Sequence, residues 1–403
     1  MPSARHTGSP RMNFEIPEEL RRLRESTRRF VQEELMPLER QYADDPDLPD
    51  AVRSSLQDKA KRLGFWNFDL PHALGGGAVG KLGMCLVLEE LARCLVPGFR
   101  TPTVFSPYVG PILYGCTPEQ KKRYLDPVLR GDKRTAFALT EANGGSDPSR
   151  MRTTAVLERD HYRINGNKIF ITGADKADFV QLFARTGDAS AQGGGVSCFL
   201  VDRGTPGMRL GQRFELMSSD RPWEIVFEDV RVPVGQLLGV PGQGWKLARD
   251  TLDVGRLIHG PKAIGRAERA LELAIAHANQ RETFGARLAT RQAIQWMVAD
   301  SVVELNAARL MTYQAAWRAD QGLDFHVEAS QVKLYADDML MRVVDRAIQI
   351  HGGLGLSREL PLEHMFRDAR SRTITEGSSE MQRIIIASEF LSGRSGLNRF
   401  GQP

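Results

Sequence analysis

Between about residue 137 and about residue 240 the hydrophobic residues of this chain change period, and no other feature restricts its fold as much. On either side of that stretch they return every third or fourth position, as on one face of a helix. Within it they alternate or come in short apolar runs, as in strands. A parallel sheet needs an alternating strand–helix rhythm, which is missing here. The expected class is therefore α+β and multidomain: an all-α N-terminal domain at 15–136, a small antiparallel barrel or sandwich at 137–240, and a C-terminal helical bundle at 241–391. The ends, 1–14 and 392–403, are expected to be flexible tails.

In the first unit Leu20, Leu23, Thr27, Phe30 and Val31 keep helical spacing until Pro37, which should end the run. Met84, Val87, Leu88, Leu91 and Leu95 mark another helix, with Glu89 and Glu90 expected to face outward. Thr117-Pro118-Glu119-Gln120 combines a cap, a proline at the first helical position and a capping-box glutamine. In the second unit, 162–164 and 168–172 flank Asn165-Gly166, a strong short-range signal for a tight hairpin. The runs at 179–184, 196–201 and 224–227 read as further strands, with a flexible hairpin tip at 187–195. In the third, long periodic segments at 263–281, 293–319 and 327–351, with a fourth starting near Ser379, predict a four-helix bundle.

A chain of 403 residues, 41% hydrophobic and 26% charged, is long enough to bury a large core. No apolar run approaches the roughly 18 residues of a membrane span. The net charge of +4 is spread along the chain, and its densest basic stretch, 21–29, is interleaved with acids. That pattern suits a solvated helix face and argues against nucleic-acid binding. The four cysteines show neither paired nor metal-ligand spacing, and the eight histidines form no zinc-like cluster. No metal is expected, and the thiols suit a reducing compartment. The opening MPSARHTGSPRM has no apolar helical face and reads as a tail rather than a targeting signal. A cytoplasmic location is expected, or the mitochondrial matrix in a eukaryote.

Gly75-Gly76-Gly77-Ala78-Val79-Gly80 fits the expression G-x-G-x-x-G, yet no strand leads into it, so it reads as a loop. The segment 140–147, TEANGGSD, sets hydroxyls beside flexible backbone N–H groups. It either cradles a phosphate or the edge of a heterocycle, or simply links two domains. The segments 281–285 and 349–355 end helices and serve, taken alone, as stop signals. Near the C-terminus, TITEGSSEMQR (373–383) places a glutamate just before a helix. Ser379 with Gln382 has a capping-box pattern, and Ser378 and Glu380 flank the helix's positive end, where anions are favoured. Glu376 stands beside Gly377, which lets another group approach. In isolation it is either a solvated loop acid or a catalytic base.

The order of these segments resembles the acyl-CoA dehydrogenase family from about Ile16 to Phe390. The resemblance is carried by FALTE and GGSD (137–147), INGNKIFIT (164–172), VFEDVRVP (226–233), RETFG (281–285), QIHGG (349–353), and RDAR through EGSS (367–379). It implies an N-terminal helical domain, a middle antiparallel β-barrel and a C-terminal four-helix bundle, usually as a homotetramer built as a dimer of dimers. It also implies FAD between barrel and bundle, its adenosine end reaching a neighbouring subunit. By that resemblance Phe137, Leu139, Thr140 and Ser146 line the flavin and its phosphates, and Phe170, Ile171 and Thr172 flank the isoalloxazine. Arg281, Phe284, Gln292, Gln349 and Gly353 hold FAD across the dimer contact, and Ser378 and Glu380 meet it near the helix start. Ser146, Asp253, Arg256 and Gly377 fall to the acyl-CoA, and an electron-transfer flavoprotein is the expected electron acceptor.

The reaction implied is oxidation of an acyl-CoA to the trans-2-enoyl-CoA, with the α-proton going to a base and the β-hydride to flavin N5. The thioester oxygen would be stabilised by a ribityl hydroxyl and by the backbone N–H of the base. Glu376 occupies the family's usual base position. A second branch places its base where this chain has Gly255, which offers no side chain. Burial beside substrate and flavin is expected to raise the Glu376 pKa, against the helix dipole. Three departures bear on FAD affinity: Ala142-Asn143 for the usual Pro-Gly, Phe170 for tryptophan and Glu380 for glutamine. The rival readings are an acyl-CoA oxidase or flavin monooxygenase of the same fold, and a non-catalytic helical scaffold.

Overall fold

The computed structural model describes residues 14–96, 104–107, 109–147, 150–187 and 195–396. The expectations for 1–13, 188–194 and 397–403 lie outside the described residues. Helices α1 (Glu18–Phe30), α2 (Glu39–Tyr42), α3 (Asp50–Arg62), α4 (Gly80–Leu91), α5 (Pro118–Gln120) and α6 (Asp126–Arg130) come first. Pro37 does not end the first run. The chain passes through a π turn (Val31–Leu35) and a 3-10 turn (Met36–Leu38) into α2, and a proline in the opening turn of a helix forfeits no hydrogen bond. The capping box at Thr117 and Gln120 forms as its sequence suggests. Glu89 and Glu90 do not face outward; they are 4% and 3% exposed. Because α4 is enclosed by its neighbours it has no outer face, and Glu90 accepts from Arg28 Nε (2.9 Å) and Nη2 (2.7 Å).

Eight strands follow: β1 (Thr135–Ala138), β2 (Thr154–Glu158), β3 (His161–Ile171), β4 (Phe179–Arg185), β5 (Val196–Asp202), β6 (Met208–Arg213), β7 (Trp223–Pro233) and β8 (Leu237–Leu238). They form one sheet in the order β6-β7-β3-β2-β4-β5-β8, with β1 also on β4. Most pairings are antiparallel, as expected, while β1 and β2 run parallel to β4. On β4, Val180, Leu182 and Ala184 enter the core inside the sheet. Phe179 and Phe183 enter a second core shared with Leu113, Tyr124, Leu125 and Val128. Burial on both faces explains why this strand reads as a continuous apolar run.

The expected hairpin at Asn165-Gly166 is absent, for β3 runs straight through it with a register shift against β7. Asn165 instead reaches across the sheet: its Nδ2 donates to Asp229 Oδ1 (2.9 Å) and its Oδ1 accepts from Asp229 N (2.8 Å). A side chain able to do both satisfies the backbone at a bulge as readily as at a turn.

Beyond the sheet, α7 (Gly244–Gln280) begins well before Ala263 and continues through Pro261. A two-stranded hairpin, β9 (Glu282–Thr283) and β10 (Ala286–Arg287), leads to α8 (Gln292–Asp320), α9 (His326–His351), α10 (Leu362–Arg372) and α11 (Ser379–Leu391). Alanines 263, 267, 270 and 274 of α7 bury their face against Met339, Leu340, Val343 and Val344 of α9, and such small side chains let long helices approach closely. The N-terminal helices share a core with Leu257, Ala316 and Val332, so α7, α8 and α9 are covered on that side too. All four cysteines are free and buried.

Candidate active site

Glu376 lies in the loop between α10 and α11 with φ +55°, followed by Gly377 at φ +90°. Seven described non-glycine residues have positive φ, and three of them, Phe170, Phe284 and Glu376, are residues the resemblance assigns to the site. Bulky side chains rarely hold that conformation unless their surroundings impose it, so backbone strain marks the same places independently.

The loop is tied down at its end. Ser378, not Ser379, caps α11, its Oγ accepting from Met381 N (3.4 Å). Gln382 is fully buried and spends its Nε2 on Gly377 O (2.9 Å) rather than on a capping box. Ser379 N donates to Thr373 O (2.9 Å), closing the loop.

This arrangement directs the Glu376 carboxylate onto α7. A Cβ at Gly255 would lie 2.5 Å from Glu376 Oε2, so the carboxylate occupies the space a side chain would need. One turn further along, His259 Nε2 lies 3.7 Å from Oε2. The other ring nitrogen, Nδ1, is 2.8 Å from Oδ2 of the fully buried Asp337, which also accepts from Lys333 Nζ (3.2 Å). Lys333 reaches on to the Arg372 carbonyl (3.1 Å) at the end of α10. Although 43% of its side chain stays exposed, Glu376 is held down to about 2. Burial pushes it up, but His259, with Lys262 and Lys333 behind it, outweighs burial. The upward shift expected beside bound substrate and flavin concerns the loaded site; in the chain alone, cations that no motif announced favour the ionised form. His259, Asp337 and Lys333 were missed because histidines were weighed only as metal ligands. The available signal was that Gly255 and His259 are four residues apart and share a helix face.

Beside this group, Arg256 Nη1 donates to Asp253 Oδ1 (2.7 Å), and His326 Nδ1 lies 2.7 Å from the same oxygen. Asp253 and Arg256 are thus paired on α7, and the Arg256 charge acts on Glu376.

A second group forms where β1 ends. Ile169 N donates to Thr140 O (2.9 Å), and the buried Lys168 donates to Leu139 O (2.9 Å) and Glu141 Oε1 (2.7 Å). Glu141 also accepts from Arg152 N (2.6 Å) and Thr153 N (3.0 Å). Leu139, Thr140, Phe170, Ile171 and Thr172 are so assembled from β1 and β3, with the Phe170 ring 4.5 Å from that of Phe214 and half exposed. Phe137 packs inward against Phe183 (5.0 Å), which places its ring in the core. Ser146 is exposed on the loop that follows.

The third group is remote. Stacked rings of His277 and His351 (4.4 Å) bring the end of α7, with Arg281, beside the end of α9, with Gln349 and Gly353. Asp337 and Gln349 are about 18 Å apart along α9, so this group and Glu376 hold different parts of any ligand. Phe284, at the tip of the β9–β10 hairpin, is fully exposed, and Gln292 opens α8. Glu380 lines a cavity of about 340 Å³ with Asp338, Arg370 and Arg383, and its carboxylate is held low by Ser378, its own N–H and those arginines. These sites fit a long, anionic, partly aromatic cofactor: hydroxyls, arginines and a half-exposed phenylalanine face outward at separate stations. Among the described residues no cluster suits a metal ion.

Three family models cover almost the whole chain: acyl-CoA dehydrogenase N-terminal domain over 17–132, middle domain over 136–230 and C-terminal domain over 242–391. The (R)-benzylsuccinyl-CoA dehydrogenase of Thauera aromatica is 37% identical over 396 residues, 94% of this chain and 97% of that one. The mitochondrial short-chain specific acyl-CoA dehydrogenase of Bos taurus is 38% identical over 382 residues, 94% and 92% of the two chains. Butyryl-CoA dehydrogenase from Megasphaera elsdenii superposes with a TM-score of 0.84 at 32% identity, covering 94% of this chain and all of its own. Two further likenesses concern cofactor and partner. The FAD complex of PigA matches with a TM-score of 0.86 at 29% identity (95% of this chain, 100% of that one). The caffeyl-CoA reductase-Etf complex subunit CarC of Acetobacterium woodii is 37% identical over 379 residues (93% and 98%).

Proposed function

The chain belongs to the acyl-CoA dehydrogenase family, and from that premise we propose that it oxidises an acyl-CoA thioester to the trans-2-enoyl-CoA with Glu376 as the base. The family is FAD-dependent, and FAD, when bound, supplies the hydride acceptor. The observation that carries the reading is the fit of the Glu376 carboxylate into the space left by Gly255, from a strained loop closed by the Ser379 N–Thr373 O bond. Among the described residues nothing accepts from the Glu376 N–H, which leaves it for the thioester oxygen as enolate charge develops. Asp253 and Arg256 border the substrate, while Leu139, Thr140, Phe170 and Thr172 form the flavin's wall, the Ile171 side chain being buried inside the sheet. Arg281, Phe284, Gln292, Gln349 and Gly353 serve a cofactor shared between subunits.

Assembly of several copies is supported by α8. Trp296, Val303, Leu310 and Trp317 are exposed and seven residues apart, an apolar stripe along one helix face. An electron-transfer flavoprotein as acceptor is supported by the likeness to the Etf-complex subunit.

The test is anaerobic mixing of the holoenzyme with short-chain and aryl-substituted acyl-CoAs, the classes the named relatives suggest. Substrate should bleach the flavin, and Glu376→Gln should slow bleaching by about 10²–10⁴-fold. Bleaching at the wild-type rate by that variant would remove Glu376 as the base, and oxygen consumption at the rate of substrate oxidation would favour an oxidase.

A further inference from the structure

Two helices and a loop converge on one imidazole. His259, on α7, is 4% exposed, with a carboxylate at each ring nitrogen: Asp337 from α9 at Nδ1 (2.8 Å) and Glu376 from the loop before α11 at Nε2 (3.7 Å). Further charged groups face the pair from every element packed around it: Lys262 and Arg256 from α7, Lys333 from α9 and Arg372 from α10. Asp337 is kept ionised despite burial by His259, Lys333 and Arg372. An ionised carboxylate at Nδ1 requires a proton on that nitrogen, which fixes the tautomer and leaves Nε2 as the variable atom.

We propose that His259, oriented by Asp337, is a positioning residue that sets the basicity of Glu376 through its own charge. This rests on the reading of Glu376 as the base. With a proton on Nε2, the imidazolium faces the carboxylate and stabilises its ionised form, which makes it a weak acceptor for an α-proton. Without that proton, Nε2 presents a lone pair to Oε2. When the α-C–H bond then breaks, its electron pair stays with the substrate as the enolate and the proton goes to Oε2. The new O–H donates to Nε2 once the 3.7 Å gap closes to hydrogen-bond length. Neutral His259 thereby stabilises the protonated base, and charged His259 opposes it. Activity must rise as the imidazole loses its proton.

The experiment has two arms on the FAD-loaded enzyme. In the first, the rate of flavin reduction at saturating acyl-CoA is followed across the pH range over which the enzyme keeps its FAD. The wild type should climb with a one-proton slope. His259→Gln should flatten the climb, and Asp337→Asn should move its midpoint to lower pH, because the imidazolium loses a carboxylate. Melting temperature and FAD content verify that both variants are folded. In the second arm, isotope-labelled histidine is titrated by NMR, the His259 signal being the one absent from His259→Gln. Its midpoint should fall by about 1 pH unit in Glu376→Gln, as expected for loss of a nearby negative charge. A pH climb retained in His259→Gln, or a His259 midpoint indifferent to Glu376→Gln, overturns the proposal while leaving the base in place. Wild-type bleaching by Glu376→Gln overturns both.

Discussion

The Glu376 carboxylate and Gly255 fill one space. Oε2 sits 2.5 Å from where a Cβ on residue 255 would project, so a side chain on α7 and a carboxylate from the 373–378 loop exclude each other. Gly255→Ala separates stability from activity. Alanine in a helix interior stabilises by about 0.5–1 kcal/mol relative to glycine, so the melting temperature should hold or rise. The rate of flavin reduction should nevertheless fall, because the carboxylate has to turn away. Thermal melts and anaerobic mixing on the same preparation check both halves, and a variant with wild-type rates would mean the carboxylate works from elsewhere.

Glu89 should impose a pH dependence on stability. Burial pushes it up to about 7, with Arg309 at 3.4 Å opposing. Its folded pKa lies above the roughly 4.3 of an unfolded glutamate. The stability it contributes is therefore complete below about 4.3 and lost as pH rises through about 7. Glu89→Gln stays neutral throughout. Relative to the wild type it should gain about 1–3 kcal/mol between pH 4.5 and 8 in paired denaturation curves. A constant difference between the two proteins over that range would count against the assignment.

Gly166 should tolerate no side chain. Its φ is +147°, and a Cβ there would lie 2.6 Å from Thr153 Cα. Since the obstacle is backbone, Gly166→Ala should destabilise by about 2–4 kcal/mol through strain and overpacking. Chemical denaturation measures this directly; a loss under 1 kcal/mol would show that the β2–β3 pair can shift.

Phe284 gives the assembly proposal a clean variant. The ring is fully exposed, so Phe284→Ala should leave the stability of the single chain within about 0.5 kcal/mol. If the ring closes over FAD held by a second copy, retention of FAD should weaken about tenfold or more, equivalent to about 1.4 kcal/mol. Light scattering and FAD release on dilution report the two effects separately, and unchanged FAD release would leave the hairpin without that role.

Some of the groups that the fold assembles are legible in the sequence, because their parts are local. Glu376, Gly377 and Ser378 are consecutive, and Thr140 and Glu141 of TEANGGSD pair with Ile169 and Lys168 of INGNKIFIT. Errors arose where a residue's partner is distant in sequence. Asn165-Gly166 promised a turn and made a bulge, because Asp229, 64 residues on, supplied the partner a turn would otherwise provide. Glu89 and Glu90 looked like the outer face of an amphipathic helix until α1, α7 and α8 closed over it. Ser379 looked like the cap, yet Gln382 is drawn to Gly377 O instead.

By itself the sequence determined the helix–strand–helix order, the loop that carries Glu376 and the lack of a side chain at Gly255. All are properties of neighbouring residues, written in period and residue type. The tertiary structure alone decided what surrounds the carboxylate. His259 meets Glu376 across 117 positions, and Asp337 meets His259 across 78. Such meetings depend on how α7 and α9 are rotated and offset, which is settled by the packing of alanine faces along their length. The charges placed around Glu376 follow from that packing, and in the chain alone they favour its ionised form.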